Sequence, residues 1–183
     1  MKFVHTAGAL TLAIVASTHA VSAQDSGMRP LAIELRGIAM VPTFDIADAA
    51  DVGPGFGAGI GYRLSPAVRL MADFDMAVHP TPTPDFDINT LHYMGKVGYD
   101  VYARDRFTVT VNLGAGVVQF AGDLPESRSY FAINAGAKVA VALSDAVDLL
   151  ISPQGDIAFA EEEDLGTTNA WVWPLGAGVR FRF

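Results

Sequence analysis

From Trp171 to Phe183 every second residue is apolar: Trp171, Trp173, Leu175, Ala177, Val179, Phe181 and Phe183. The intervening positions hold Val172, Pro174, Gly176, Gly178, Arg180 and Arg182. A period of two is a strand signal, and this run is about twice the usual strand length of roughly 5–6 residues. The same alternation recurs upstream. Leu31 to Val41 points Glu34 and Arg36 one way. Pro54 to Leu64 sets Phe56, Ala58, Ile60, Tyr62 and Leu64 against Gly55, Gly57, Gly59, Gly61 and Arg63. Val68 to Val78 sets Val68, Leu70, Ala72, Phe74 and Met76 against Arg69, Asp73 and Asp75. Thr90 to Tyr102, Phe107 to Phe120, Tyr130 to Leu143 and Val147 to Phe159 continue the series, which predicts eight strands.

Ahead of them, Lys2, the apolar run from Ala7 to Ala16 and Val21-Ser22-Ala23 have the form of a charged region, a hydrophobic region and a small-residue cleavage site. This predicts a signal peptide over 1–23 and a mature domain over 24–183. The apolar run is too short to cross roughly 30 Å of hydrocarbon as a helix. An exported domain of this size commonly relies on disulfides, yet the chain has no cysteine. That also excludes lipidation at a signal-peptide cysteine, so membrane association must come from the fold. Hydrophobic residues make up 51% of the chain, while no uncharged run of roughly 18 apolar residues follows the signal. Apolar character spread over alternate positions is the signature of a transmembrane barrel.

The predicted connections alternate in length, as such a barrel requires when its two ends face different compartments. Short turns fall around Ser65-Pro66, Arg104-Asp105 and Ser144-Asp145; long loops run over 43–53, 79–89, 121–129 and 160–169. With an even strand number both termini are expected on the short-turn side. Pro153 and Pro174 lie inside strands and close together on one hairpin, which predicts a bulge or a local break in the ladder there.

Alternation does not say which face points inward, and a soluble lipocalin-like barrel is the rival reading. Aromatic placement separates the two. Threading the strands up and down puts Tyr62, Tyr99, Phe107, Phe181 and Phe183 near the short-turn end of the apolar face. Phe56, Tyr93, Phe131, Phe159, Trp171 and Trp173 gather near the loop end, and Phe74 alone sits nearer mid-strand. Two aromatic girdles around an aliphatic band belong on an outer wall crossing a bilayer. The opposite face carries Glu34, Arg36, Arg63, Arg69, Asp73, Asp75, Lys96, Asp100, Lys138, Asp148, Asp156, Arg180 and Arg182, and reads as a narrow polar lumen. Its seven bases and six acids favour mutual pairing, joined by Asn112, Ser152 and Gln154, over an ion path. The glycines at 55, 57, 59 and 61 thin one wall and are expected to leave space there that water can occupy.

Stretches such as Gly55-Phe-Gly-Ala-Gly-Ile-Gly-Tyr62 and the closing Gly178-Val-Arg-Phe-Arg-Phe183, set in this strand-and-loop rhythm, make the mature chain resemble the small outer-membrane β-barrel proteins of the OmpA/OmpX-like and opacity-protein type, often labelled porin family. The resemblance implies an all-β, eight-stranded antiparallel up-and-down transmembrane barrel in the outer membrane of a Gram-negative bacterium. It further implies that Val179, Phe181 and Phe183 are the signal read by the barrel-assembly machinery, and that outer-membrane lipid and lipopolysaccharide are the surroundings.

Nothing in the residues points to catalysis. Only His79 and His92 survive signal removal, and both fall on the lumen face, whereas a lipid A deacylase needs a Ser/His pair facing lipid. Asp73 and Asp75 lie beside Arg69 and read as charge-network members. The stretch Asp85-Phe86-Asp87-Ile88-Asn89 departs from a calcium loop at Thr90 and Lys96, the glycine series lacks the helix of a dinucleotide site, and no basic stripe exists for nucleic acid. No cofactor is expected. The long loops hold eleven acids, among them Glu161, Glu162, Glu163 and Asp164, against one base, Arg128. Those four are candidates for sharing divalent cations with lipopolysaccharide phosphates. The reading is a non-enzymatic surface barrel contributing to envelope integrity or surface interaction; a narrow porin or hydrophobic-solute channel is the alternative, and a lipid A-modifying enzyme ranks third.

Overall fold

The computed structural model describes residues 29–183, so the expected signal peptide over 1–23 and the expected mature start at Gln24 lie outside the described residues. The strands are β1 (Leu31–Thr43), β2 (Gly53–Arg63), β3 (Val68–Pro80), β4 (Asp87–Arg104), β5 (Phe107–Gly122), β6 (Arg128–Ala142), β7 (Val147–Phe159) and β8 (Asn169–Arg182). Each pairs antiparallel with its sequence neighbour and β1 pairs with β8, which closes the barrel and leaves no strand edge. The closure places the last residue beside the first strand, where Phe183 N–H donates to the Leu31 carbonyl at 2.8 Å.

Two of the three tight turns share one construction. In Leu64-Ser65-Pro66-Ala67-Val68 the Ser65 hydroxyl accepts from the amides of Ala67 and Val68, and in Leu143-Ser144-Asp145-Ala146-Val147 Ser144 does the same. These are serine side-chain turns, in which the hydroxyl stands in for a backbone acceptor. The third turn reverses at Asp105, whose φ of 52° lies in the left-handed region that aspartate tolerates. At the other rim the 44–52 loop contains a 3-10 helix, Phe44–Asp48, and the 160–168 loop one α-helical turn, α1 (Glu162–Leu165).

At the prolines the ladder breaks without changing register. The β7–β8 pairing stops at Pro153↔Leu175 and resumes at Asp156↔Val172, and the β6–β7 pairing skips from Gly136↔Gln154 to Val139↔Ile151. Pro153 has no N–H to offer β6; the Ala137 carbonyl opposite it accepts instead from Gln154 Nε2 at 2.9 Å. A true register shift occurs elsewhere, at Val101, where Asp100↔Thr110 is followed by Tyr102↔Val109. That bulge turns both Val101 and Tyr102 outward, a detail the alternation did not reveal.

The interior is layered. Charged and polar side chains fill the part nearer the tight turns. The part nearer the long loops is apolar: Met94, Val118, Phe120, Tyr130, Ala132, Ala158 and Ala170 form one buried cluster, and Ile38, Met40, Ala77 and Val172 another. Loop side chains descend onto it, Ile46 from the 3-10 helix, Leu124 from the 123–127 loop and Leu165 from α1. The expectation of a lumen that is polar throughout therefore holds only for its lower part. Val118 and Phe120 share the inward parity of Thr110 and Asn112, so the same alternation that points charges inward also points an apolar plug inward.

Candidate functional site

The lower lumen is organised around Arg36. Its position on β1 lies opposite Gly57 on β2, with Gly59 two residues along, and neither glycine has a side chain to obstruct the guanidinium. A Cβ added at Gly57 would strike the Asp75 carboxylate and approach Arg36 Nε at 3.1 Å; one added at Gly59 would strike the Asp73 carboxylate. At these two positions the space expected to admit water is filled by an arginine and two aspartates, because removing the Cβ lets them lie against the wall.

From that seat Arg36 reaches Asp75 at 2.9 Å, Glu34 at 2.8 Å and Asp73 at 3.5 Å. Lys138 reaches across from β6 to Glu34 at 2.6 Å and Asp73 at 3.0 Å, and Lys96 from β4 meets the same Asp73 oxygen at 3.0 Å. Arg180 Nε donates to Glu34 Oε1 at 2.8 Å. Gln154 accepts from Lys96 and donates to Ser152, so both join the network as expected. Asn112 does not: it is buried, yet neither side-chain atom has a hydrogen-bond partner. Inward parity placed it in the lumen but not within reach of a charge.

Two further groups flank this centre. Toward the tight turns, Asp100 accepts from Nε and Nη2 of Arg69 and from Thr110, with Arg63 at 3.4 Å, while Asp148 meets Arg182 at 2.9 Å and Arg180 at 3.8 Å. Toward the loops, Asp156 is held by His92 Nδ1 and by Asn134 Nδ2. All thirteen charged residues assigned to the lumen by alternation are buried except Arg63 and Arg182, which are half-buried at the mouth. Taking such charges out of water costs several kcal/mol each unless partners compensate. Here most acids face two or more bases.

His79 contacts the Asp51 carbonyl through Nδ1 at 2.8 Å and the Thr90 hydroxyl through Nε2 at 2.9 Å, which ties the 44–52 loop to the wall. Both histidines therefore lie inside the barrel with structural partners. The outer wall carries Phe56, Tyr62, Tyr93, Tyr99, Phe107, Phe131, Phe159 and Trp173 as exposed rings, with Trp171 half-buried under Phe44. Phe131 and Phe159 stack at 6.0 Å, and Phe74 is sandwiched between Phe56 and Tyr93. Val179, Phe181 and Phe183 continue the outward series at the lower rim.

Among the acids of the 160–168 loop, Glu161 holds the N-cap position of α1 without a side-chain capping bond, Glu162 and Glu163 occupy successive helical positions, which point about 100° apart, and the side chain of Asp164 lies outside those described. Among the described residues no group of three or more His, Asp or Glu side chains gathers in a way that would hold a metal ion.

A closed eight-stranded wall, ringed outside by aromatics and filled inside by charge, is the architecture of a bilayer-spanning barrel. A family model described as an outer membrane protein beta-barrel domain matches residues 7–183. The chain belongs to this family. It is an outer membrane β-barrel protein of the Gram-negative envelope, and the expected fold class stands. No curated protein matches it. Among solved structures, Neisserial surface protein A (NspA) is 16% identical, with 84% of this chain and 97% of that chain covered at a TM-score of 0.68. The outer membrane protein OprG from Pseudomonas aeruginosa is 14% identical, covering 86% and 98% at 0.58. Ail, the attachment invasion locus protein of Yersinia pestis, is 17% identical, covering 84% and 100% at 0.53. At these identities the likeness is one of fold, so the site of this outer membrane barrel rests on its own residues.

Proposed function

We propose that this outer membrane barrel is a non-enzymatic envelope protein whose lumen is packed shut and whose acidic loops form its working surface. The observation that carries this reading is the cross-lumen network of Glu34, Arg36, Asp73, Asp75, Lys96, Lys138 and Arg180, buried beneath an apolar plug that three loops help to close. Barrels of eight strands enclose an interior just wide enough for side chains, and alternating signs in mutual contact differ from the single-sign rings of ion pathways. Both histidines are engaged inside the wall rather than facing lipid beside a serine, which supports a role without catalysis.

On this reading the barrel is inserted by the assembly machinery and surrounded by phospholipid and lipopolysaccharide. The loop acids Glu161, Glu162, Glu163 and Asp164 meet lipopolysaccharide phosphates through shared divalent cations. The test of the packed lumen is planar-bilayer recording of refolded protein at molar salt. The proposal expects no steady current, and conductance in the range of a general porin refutes it.

A further inference from the structure

The mouth on the tight-turn side holds more positive charge than its acids can neutralise. Arg63, Arg69, Arg106, Arg180 and Arg182 line one cavity of about 70 Å³ together with two acids, Asp105 and Asp148. Asp100 is already bound by Nε and Nη2 of Arg69, and Asp148 is divided between Arg182 and Arg180. Glu34, the next acid inward, serves Arg36 and Lys138 as well as Arg180. Arg63 feels the like charges of Arg69, Arg180 and Arg182, against the attraction of Asp100.

A second observation points into the same space. Arg180 is only 2% exposed, yet its Nη2 has no hydrogen-bond partner, and Nε of Arg182 beside it has none either. A buried charged donor left unpaired costs more than a neutral one. Arg180, Arg182, Arg63 and Arg69 also line a smaller adjoining cavity toward Arg29. Unsatisfied N–H groups on two neighbouring arginines, with surplus positive charge around them, call for a ligand that only accepts, carries negative charge and offers several oxygens.

We propose that the mouth on the tight-turn side, the side that faces the periplasm in outer-membrane barrels, is a binding site for a phosphate-type oxyanion, held between Arg63, Arg180 and Arg182. Guanidinium groups match phosphate oxygens in pairs and stay charged at every physiological pH. A single water needs roughly 10–15 Å³ of such space, so the larger cavity admits an ion of a few heavy atoms. Two sources supply this chemistry at that level of the membrane: free phosphate in the periplasm, and the headgroup of an anionic phospholipid in the adjoining leaflet. The site goes beyond the packed-lumen reading: it shares Arg180 with the lower edge of the network, through the Nε–Glu34 bond, but uses the guanidinium nitrogen that the network leaves unpaired.

The experiment uses refolded protein in zwitterionic detergent, with calorimetric titration of inorganic phosphate and thermal unfolding in phosphate against chloride at equal ionic strength. With a millimolar Kd, about 10 mM phosphate raises the unfolding midpoint by roughly 4 °C. The double variant Arg63→Gln/Arg182→Gln loses that shift, and Arg128→Gln at the opposite rim keeps it. Should the double variant fail to fold, saturable heat corresponding to one site per wild-type chain still decides. Vesicles of phosphatidylcholine with or without phosphatidylglycerol, free of inorganic phosphate, separate the sources: a rise that needs phosphatidylglycerol and vanishes in the double variant identifies the headgroup, and a rise with inorganic phosphate alone identifies the free ion. Absence of saturable heat together with no rise in either setting, or an equal rise in chloride, overturns the proposal.

Discussion

Lys138 Nζ on β6 lies 2.6 Å from Glu34 Oε2 on β1, joining strands three apart around the wall through the middle of the lumen. The pair is buried on both sides, and Lys138 also serves Asp73. Removing one partner of a buried pair leaves an uncompensated charge, at a cost of about 3–5 kcal/mol. Lys138→Met is therefore expected to lower the stability of the refolded barrel by about 3 kcal/mol or more in denaturant titration. Asp48→Asn, in an exposed loop, is expected to stay within about 0.5 kcal/mol of wild type.

Gly59 gives a second test of the same network. A methyl group there would enter the space of the Asp73 carboxylate and come within 3.2 Å of Arg36 Nη1. Overpacking of this kind costs roughly 1–3 kcal/mol, so Gly59→Ala is expected to destabilise the barrel by about 2 kcal/mol. Gly37→Ala, where an added Cβ meets nothing within 4 Å, serves as the control. Equal midpoints for the two variants would remove the seat-for-arginine account of the glycine series.

These two cases show how far the sequence carries the structure. Period-two alternation located all eight strands to within a few residues and sorted side chains onto two faces, because a pleated backbone sends successive side chains to opposite sides; the aromatic girdles then told the outer face from the inner. Pro153 and Pro174 announced a break because proline lacks the N–H that a ladder needs. What alternation cannot convey is distance across the lumen. It places Asn112 inward without showing that no charge reaches it, and it gives no hint that Arg36 lies over Gly57 and Gly59. The bulge at Val101 and the descent of Ile46 and Leu165 into the mouth arise from tertiary fit, for which the local residues carry no distinctive signal.

Phe183 closes the outward series at the lower rim, with its N–H bonded to the Leu31 carbonyl. Deleting it removes the terminal aromatic expected to be read during insertion. The amount of heat-modifiable folded barrel in outer membranes is expected to fall, as measured by gel mobility before and after boiling. Undiminished insertion would reassign Phe183 to rim packing alone.

The loop acids give an expectation about cations. Among the described residues no group of three or more His, Asp or Glu gathers to hold an ion, so on the proposed reading a divalent cation is shared with phosphates from outside the chain. Millimolar Ca²⁺ is then expected to leave the melting midpoint in plain detergent unchanged against a matched-ionic-strength control, and to raise it when lipopolysaccharide is present. A shift without lipopolysaccharide would point to a site within the loops themselves.

On the packed-lumen reading the lumen is closed twice, and the two closures predict a specific pattern of conductance. The lower closure is the charge network; the upper is the apolar cluster capped by Ile46, Leu124 and Leu165. They lie one above the other, so an ion must pass both, and resistances in series are governed by the larger. Ile46→Asp places a charge in the apolar cap and loosens the 44–52 loop, but leaves the pairs of Glu34, Arg36 and Lys138 intact. Lys138→Met thins the network but leaves the cap. Each single variant is therefore expected to conduct as little as wild type in planar bilayers at molar salt, whereas the double variant, if it still folds, is expected to pass a small steady current. A Lys138→Met channel as conductive as the double variant would show that the cap does not seal, and that the charge network alone closes the barrel.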